Sequence, residues 1–181
     1  CMEKIFLPTI RAMKAEGRPF KGCLYFGLML TKDGPKVVEY NCRFGDPETQ
    51  VVLPLLETDI MDIIEAVWEE KLDTLDIKWS NKSCACVVMA SGGYPEKYET
   101  GKVISGLDEN GQCEGAFVYH AGTKLENGKF LTAGGRVLGI TAYGDTLKEA
   151  LDTAYKAVDT ISFEKAHYRH DIGKKALSAL K

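Results

Sequence analysis

Glu39-Tyr40-Asn41-Cys42-Arg43-Phe44-Gly45-Asp46-Pro47-Glu48-Thr49 follows two apolar runs joined by Lys32-Asp33-Gly34-Pro35. The stretch therefore reads as the end of a β-hairpin running from about Cys23 to Asn41. Alternation in the second run puts Val37, Glu39 and Asn41 on one face and Val38 and Tyr40 on the other. A carboxylate and an amide oxygen then stand side by side, both hard oxygen donors, with Arg43 just beyond. That set suits a magnesium ion and the phosphates it bridges. Glu-x-Asn alone fits a solvated strand face better than a ligand site. The Arg-Phe-Gly-Asp-Pro-Glu continuation is what favours a ligand site.

Upstream, residues 2–16 read as helical, with Ile5, Thr9, Ile10 and Met13 near one face and Gly17 closing the run. Pro8 must sit in a first turn or mark a break between two short helices. Downstream, Thr58 is a good N-cap for a helix carrying Ile60, Ile63, Ile64 and Val67 at helical spacing, a stripe that reads as core packing. A polar, aperiodic stretch from Lys71 to Ser83 places a boundary near residue 78. Two domains are expected, 1–78 and 79–181.

The second is rich in short strands: Cys84–Ala90, Val103–Ile104, Ala116–His120, a hairpin about Asn127-Gly128, and Arg136–Ala142. Thr146-Leu147-Lys148-Glu149 is a capping box opening a helix with Leu147, Ala150, Leu151, Ala154 and Val158 as its buried stripe. Tyr168-Arg169-His170-Asp171-Ile172-Gly173 precedes a short final helical run. The fold class is mixed α+β.

At 181 residues, with 45% hydrophobic and 27% charged residues, the chain can bury a useful core. A net charge of −3 without like-charged runs argues against nucleic acid as a partner. Neither a membrane span nor a signal peptide is apparent, so a cytoplasmic protein is expected. The six cysteines show no Cys-x-x-Cys pair and no companion histidines at zinc spacing, so reduced thiols are expected. Cys1 opens directly into Met2-Glu3-Lys4-Ile5, which looks like a chain entered partway through a domain.

Three glycine-bearing loops could meet an anion with free backbone N–H groups: Gly92-Gly93-Tyr94-Pro95, His120-Ala121-Gly122-Thr123-Lys124 and Gly134-Gly135-Arg136. Two glycines beside a guanidinium suit close, bidentate approach to a phosphate, and Lys124 adds a second cation. Each loop alone is simply a turn; together, beside the hairpin, they favour a shared ligand site. His120, His167 and His170 read as hydrogen-bonded structural residues. No Ser-His-Asp grouping, Walker-type loop or GxGxxG fingerprint is present.

Glu39 to Gln50, Ser91-Gly-Gly-Tyr-Pro95, His120-Ala-Gly-Thr-Lys124, Gly134-Gly-Arg-Val137 and Tyr168-Arg-His-Asp-Ile-Gly173 together resemble the C-terminal part of the phosphoribosylamine–glycine ligase (glycinamide ribonucleotide synthetase) family of the ATP-grasp superfamily. The resemblance implies the C-terminal half of an ATP-grasp domain, an antiparallel sheet with packed helices, followed by a small strand-rich α+β domain. It implies ATP, glycine and 5-phosphoribosylamine as substrates, glycyl phosphate as intermediate, and Mg2+ or Mn2+ held by Glu39 and Asn41. Arg43 is expected on the transferring phosphoryl or acyl phosphate, and Asp46 on an amine. Loop chemistry, more than the family pattern, makes Lys124, Gly134, Gly135 and Arg136 candidates for the ribose 5-phosphate.

Two departures stand out. Many ATP-grasp enzymes place a further acid on the preceding strand, but Cys23–Leu30 has no carboxylate and Gly27 lies near the expected place. The family's N-terminal domain, its ATP-covering lid and the first strands of its ATP-binding core have no counterpart here, so the rest of the same enzyme is an expected partner and isolated catalysis is not expected. Another ATP-grasp ligase is opposed by Gly-Asp-Pro-Glu-Thr-Gln and His-Ala-Gly-Thr. A non-catalytic ribonucleotide-binding module is opposed by intact Glu39, Asn41 and Arg43.

Overall fold

The computed structural model describes residues 1–179. The chain divides into two units, Cys1–Asp46 with Leu56–Trp79, and Pro47–Leu55 with the chain from Ser80 onward.

In the first unit a wide helical turn, Met2–Phe6, runs straight into α1, Leu7–Ala15. Pro8 occupies the first turn of α1, and Thr9 Oγ1 donates back to the Ile5 carbonyl at 2.7 Å. Gly17, at φ +72°, ends the helix in the left-handed region. Strands β1, Tyr25–Thr31, and β2, Gly34–Asn41, pair antiparallel around a loop of Lys32 and Asp33. Gly34 and Pro35, expected in the turn, already belong to β2.

The next segment, Pro47–Leu55, holds the short α2, Thr49–Val52. Back in the first unit, α3, Ile60–Trp68, is capped by Asp59, whose carboxylate accepts from the Met61 N–H at 2.8 Å. Thr58, the expected cap, instead accepts from the Lys78 N–H at 2.7 Å. The apolar stripe of α3 is not core. Ile60, Ile63 and Val67 are half-buried, while Ile64 and Trp68 are 52% and 79% exposed. They line an open groove of about 450 Å³ whose facing wall in this chain is little more than Lys21–Cys23, Phe44 and Leu72, too little apolar surface to close it.

The second unit is built on a three-stranded antiparallel sheet in the order β3-β7-β4, formed by Ser83–Ala90, Arg136–Gly144 and Phe117–His120. Its middle strand, β7, carries six consecutive buried residues from Val137 to Ala142. Val137, Leu138 and Ile140 are fully buried with Val87, Met89, Ala154 and Val158. Strands β5, Thr123–Glu126, and β6, Lys129–Thr132, form a hairpin whose turn residues Asn127 and Gly128 both have positive φ, the backbone sign that a tight two-residue turn demands. The expected strand at Val103–Ile104 is reduced to isolated bridges, Val103 to Leu131 and Ser105 to Ser162.

Helix α4, Leu147–Val158, packs its stripe of Ala150, Leu151, Ala154, Ala157 and Val158 inward, with Leu147 half-buried. Thr146 Oγ1 accepts from the Glu149 N–H at 3.2 Å, as a capping box requires, but the Glu149 carboxylate returns to the Asp145 N–H rather than to that of Thr146. The described chain ends in α5, Lys174–Ala179. All six cysteines are free; burial, with Cys86 alongside, pushes the Cys84 thiol up to about 11. No described helix is long and apolar enough to cross a membrane.

Leu138, fully buried in β7, and Leu125, 63% exposed, provide a contrast. Leu138→Ala is expected to cost about 2–5 kcal/mol in urea-unfolding measurements. Leu125→Ala should stay within about 0.5 kcal/mol.

Candidate functional site

Glu39 stands opposite Gly27 in the hairpin register, whereas the next pair is Leu28 with Val37, so Val38 is an extra residue and β2 bulges there. The alternation expected from Val37 through Asn41 is broken at that point. Glu39 and Asn41 lie beyond the bulge and keep theirs: Asn41 Nδ2 donates to Glu39 Oε1 at 3.3 Å. Glu39 is exposed and Asn41 half-buried.

The donor chemistry fits a hard divalent cation. Neighbouring oxygens around an octahedral magnesium at about 2.1 Å stand roughly 3 Å apart, close to this separation. Turning the Asn41 amide over would present Oδ1 in place of Nδ2. Among the described residues no group of three or more His, Cys, Asp or Glu converges. Two protein donors are what magnesium commonly accepts when waters and substrate phosphates complete its shell.

After Asn41 the chain leaves the sheet. Arg43 is exposed and folds back, its Nη1 donating to the Phe44 carbonyl at 2.9 Å. Gly45 is buried, and exposed Asp46 ends the first of the two segments that make up the first unit.

In the second unit the three glycine loops meet. The buried Ser91 donates through Oγ to the Gly134 carbonyl and through its N–H to the Gly135 carbonyl, both at 2.8 Å. The Gly122 N–H donates to the Arg136 carbonyl at 2.9 Å, and the Ala133 N–H to the Gly122 carbonyl at 2.6 Å. A Cβ at Gly122 would stand 2.6 Å from both the Gly134 Cα and the Arg136 oxygen, and one at Gly135 would run into the Tyr94 ring. These glycines thus have a packing reason: backbones cross where side chains would not fit. Lys124, on β5 opposite Leu131, holds Glu126 in an ion pair at 2.7 Å. The tie that Ser91 makes between loops is not legible in the sequence, where one serine before two glycines carries no signal of a partner 43 residues along the chain.

His120 uses both ring nitrogens. Nε2 donates to the Gly111 carbonyl at 2.8 Å, which leaves Nδ1 to accept from Thr123 Oγ1 at 2.9 Å. This is a structural histidine. The Tyr168–Gly173 motif is tied to α4 by Tyr155, whose hydroxyl donates to the Arg169 carbonyl at 2.7 Å and accepts from the Ile172 N–H at 3.1 Å. Arg169 grips Asp171 bidentately and holds its carboxyl below the usual range.

The family model described as the phosphoribosylglycinamide synthetase C domain matches residues 84–175, just over half of the chain. The chain belongs to this family. The family's ATP-grasp (A) domain matches residues 1–49, which include the hairpin. The mixed α+β fold is thus part of an ATP-grasp domain followed by the family's C domain.

Among similar proteins, a phosphoribosylamine–glycine ligase of Caldanaerobacter subterraneus is 55% identical over 94% of this chain and 40% of its own length. A bifunctional purine biosynthetic protein of Dictyostelium discoideum is 48% identical over 99% of this chain and 23% of its own. A crystal structure of phosphoribosylamine–glycine ligase from Thermotoga maritima aligns with a TM-score of 0.75 and 34% identity, covering 94% of this chain and 41% of that one. The chain spans about two-fifths of the length of such monofunctional relatives.

Gly122→Ala should destabilise the second unit by about 1–3 kcal/mol, because both obstructing atoms are backbone. Thermal unfolding of the variant beside wild type measures this. An unchanged midpoint would mean that the crossing is loose.

Proposed function

We propose that this chain is the C-terminal portion of an ATP-dependent ligase that joins glycine to 5-phosphoribosylamine, giving glycinamide ribonucleotide, ADP and phosphate. The observation that carries the proposal is the Glu39–Asn41 pair at 3.3 Å, at the end of a hairpin within the segment matched by the ATP-grasp domain. Glu39 and Asn41 would hold Mg2+ or Mn2+, which supplies charge neutralisation between ATP and the glycine carboxylate. The carboxylate oxygen takes the γ-phosphoryl group of ATP with loss of ADP. The amine of phosphoribosylamine then attacks the acyl carbon and displaces phosphate.

Within this scheme Arg43 leaves the Phe44 carbonyl to hold the transferring phosphoryl group, a task suited to a planar cationic fork. Asp46 orients an amine. Gly134, Gly135, Arg136 and Lys124 serve the ribose 5-phosphate, Lys124 exchanging Glu126 for the anion. By domain, 1–78 is the C-terminal part of an ATP-grasp core and 79–181 the ligase's C-terminal domain, and the remaining N-terminal part of the same enzyme is the partner. A metabolic ligase of this kind works in the cytoplasm.

The test is a chimera in which this chain replaces the matching 170 residues of the Caldanaerobacter relative. ADP release should require both glycine and phosphoribosylamine, and the purified 181-residue chain alone should show none. Glu39→Gln or Asn41→Ala in the chimera should each lower kcat/KM roughly a hundredfold, with a raised magnesium requirement. A folded chimera without ligation, or one indifferent to Glu39→Gln, would sink the reading.

A further inference from the structure

The geometry points to Gly27 as a positioning residue for Glu39: the space its missing side chain leaves on β1 is the channel in which the Glu39 side chain lies. A Cβ at position 27 would stand 2.7 Å from Glu39 Cγ, 3.5 Å from Oε1 and 3.6 Å from Cδ, so the whole length of the glutamate runs past this one point. The two residues are direct partners in the strand register, which is why no neighbouring position could substitute for Gly27.

The backbone does not require glycine here. Ten glycines of the chain have positive φ, and Gly27 is not among them, so an L side chain could adopt its conformation without strain. What excludes the side chain is Glu39 alone. The clash falls on Cγ, which is fixed by χ1 close to the strand, rather than on the free end of the side chain, so relief requires Glu39 to change rotamer. In a new rotamer its carboxylate would leave Asn41, 3.3 Å away in the present arrangement.

The same packing accounts for the lack of a carboxylate at position 27 of β1. An aspartate at 27 would begin with the same Cβ and displace the acid already there. At the Gly27–Glu39 pair the hairpin holds a single carboxylate, beside the Asn41 amide, because Glu39 fills the room that a second would need.

The inference rests on Glu39 and Asn41 as metal ligands, and Mn2+ separates the two claims. In the purified chain, Mn2+ should broaden the NMR signals of the Asn41 side-chain amide and of the Gly27 N–H, and Glu39→Gln should abolish the effect. Gly27→Ala should keep the circular dichroism and the β1–β2 cross-strand contacts. It should also shift the Asn41 side-chain amide before any metal is added, and raise the Mn2+ concentration for half-broadening roughly tenfold.

Wild-type broadening that survives Glu39→Gln, or none at all, overturns the metal reading; the metal-free Asn41 shift in Gly27→Ala then still decides the positioning claim. Wild-type broadening that Gly27→Ala leaves unchanged, together with an unmoved Asn41 amide, overturns the positioning claim and leaves the metal reading standing. Should Gly27→Ala fail to fold, a crystal structure of the wild-type chain with Mn2+ decides: Glu39 still lying against the Gly27 Cα supports the claim, and Glu39 swung away from it refutes it.

Discussion

Burial of β7 is the constraint on which the second unit depends. Arg136–Gly144 is hydrogen-bonded along both edges, to Ser83–Ala90 and Phe117–His120, and α4 closes over the apolar surface it shares with β3. A strand so placed has no tolerance for register slip, because a shift of one residue would reverse which side chains meet the helix. Its first residues therefore sit at a fixed point. There the Arg136 carbonyl takes the Gly122 N–H, the Val137 carbonyl takes the Ala121 N–H, and the adjoining Gly135 carbonyl takes that of Ser91. The loop junction inherits its position from the core, as a site on rigid elements must.

The first unit is organised differently. Its described residues include one buried hydrophobic side chain, Ile5, while Met29, Leu30, Val38, Tyr40, Ile64 and Trp68 are more than half exposed. Hydrophobic burial cannot be what holds Glu39 beside Asn41. Local geometry does that: strand pairing sets the backbone, the Val38 bulge sets the twist, and the alternation beyond it puts the two side chains on one face. A site built this way can be correctly shaped even where the surrounding packing is sparse.

What could be read from the sequence divides along the same line between local and distant causes. The Asn127-Gly128 turn was legible because two residues alone decide the sign of φ, and the Thr146 cap because its partner Glu149 lies one turn away. The Glu39–Asn41 adjacency needed only a period of two. Thr58 carries a cap signal in the sequence, but its hydroxyl accepts from the Lys78 N–H, 20 residues on, and the cap falls to Asp59. The α3 stripe was visible as periodicity, yet periodicity states which residues share a face and is silent on what covers them. The bulge at Val38 leaves no mark in an alternation that looks regular on the page, and Gly27 gains its meaning only from the partner strand.

Glycine is the sharpest case, since one letter stands for two unrelated constraints. At Gly128 it answers to backbone sign, at Gly122 and Gly135 to excluded volume, and the sequence prints both alike. Approach to a phosphate is a third use, and it is compatible with the second: a loop whose carbonyls are committed to Ser91 and whose neighbouring turn is committed to Arg136 presents its remaining edge in one orientation. Where Ser91 takes the Gly134 and Gly135 carbonyls, the N–H of the following residue is directed away from Ser91, because the two ends of a trans peptide plane point oppositely. In the proposed role the glycines would therefore owe their anion-binding geometry to the same contacts that exclude a side chain from them.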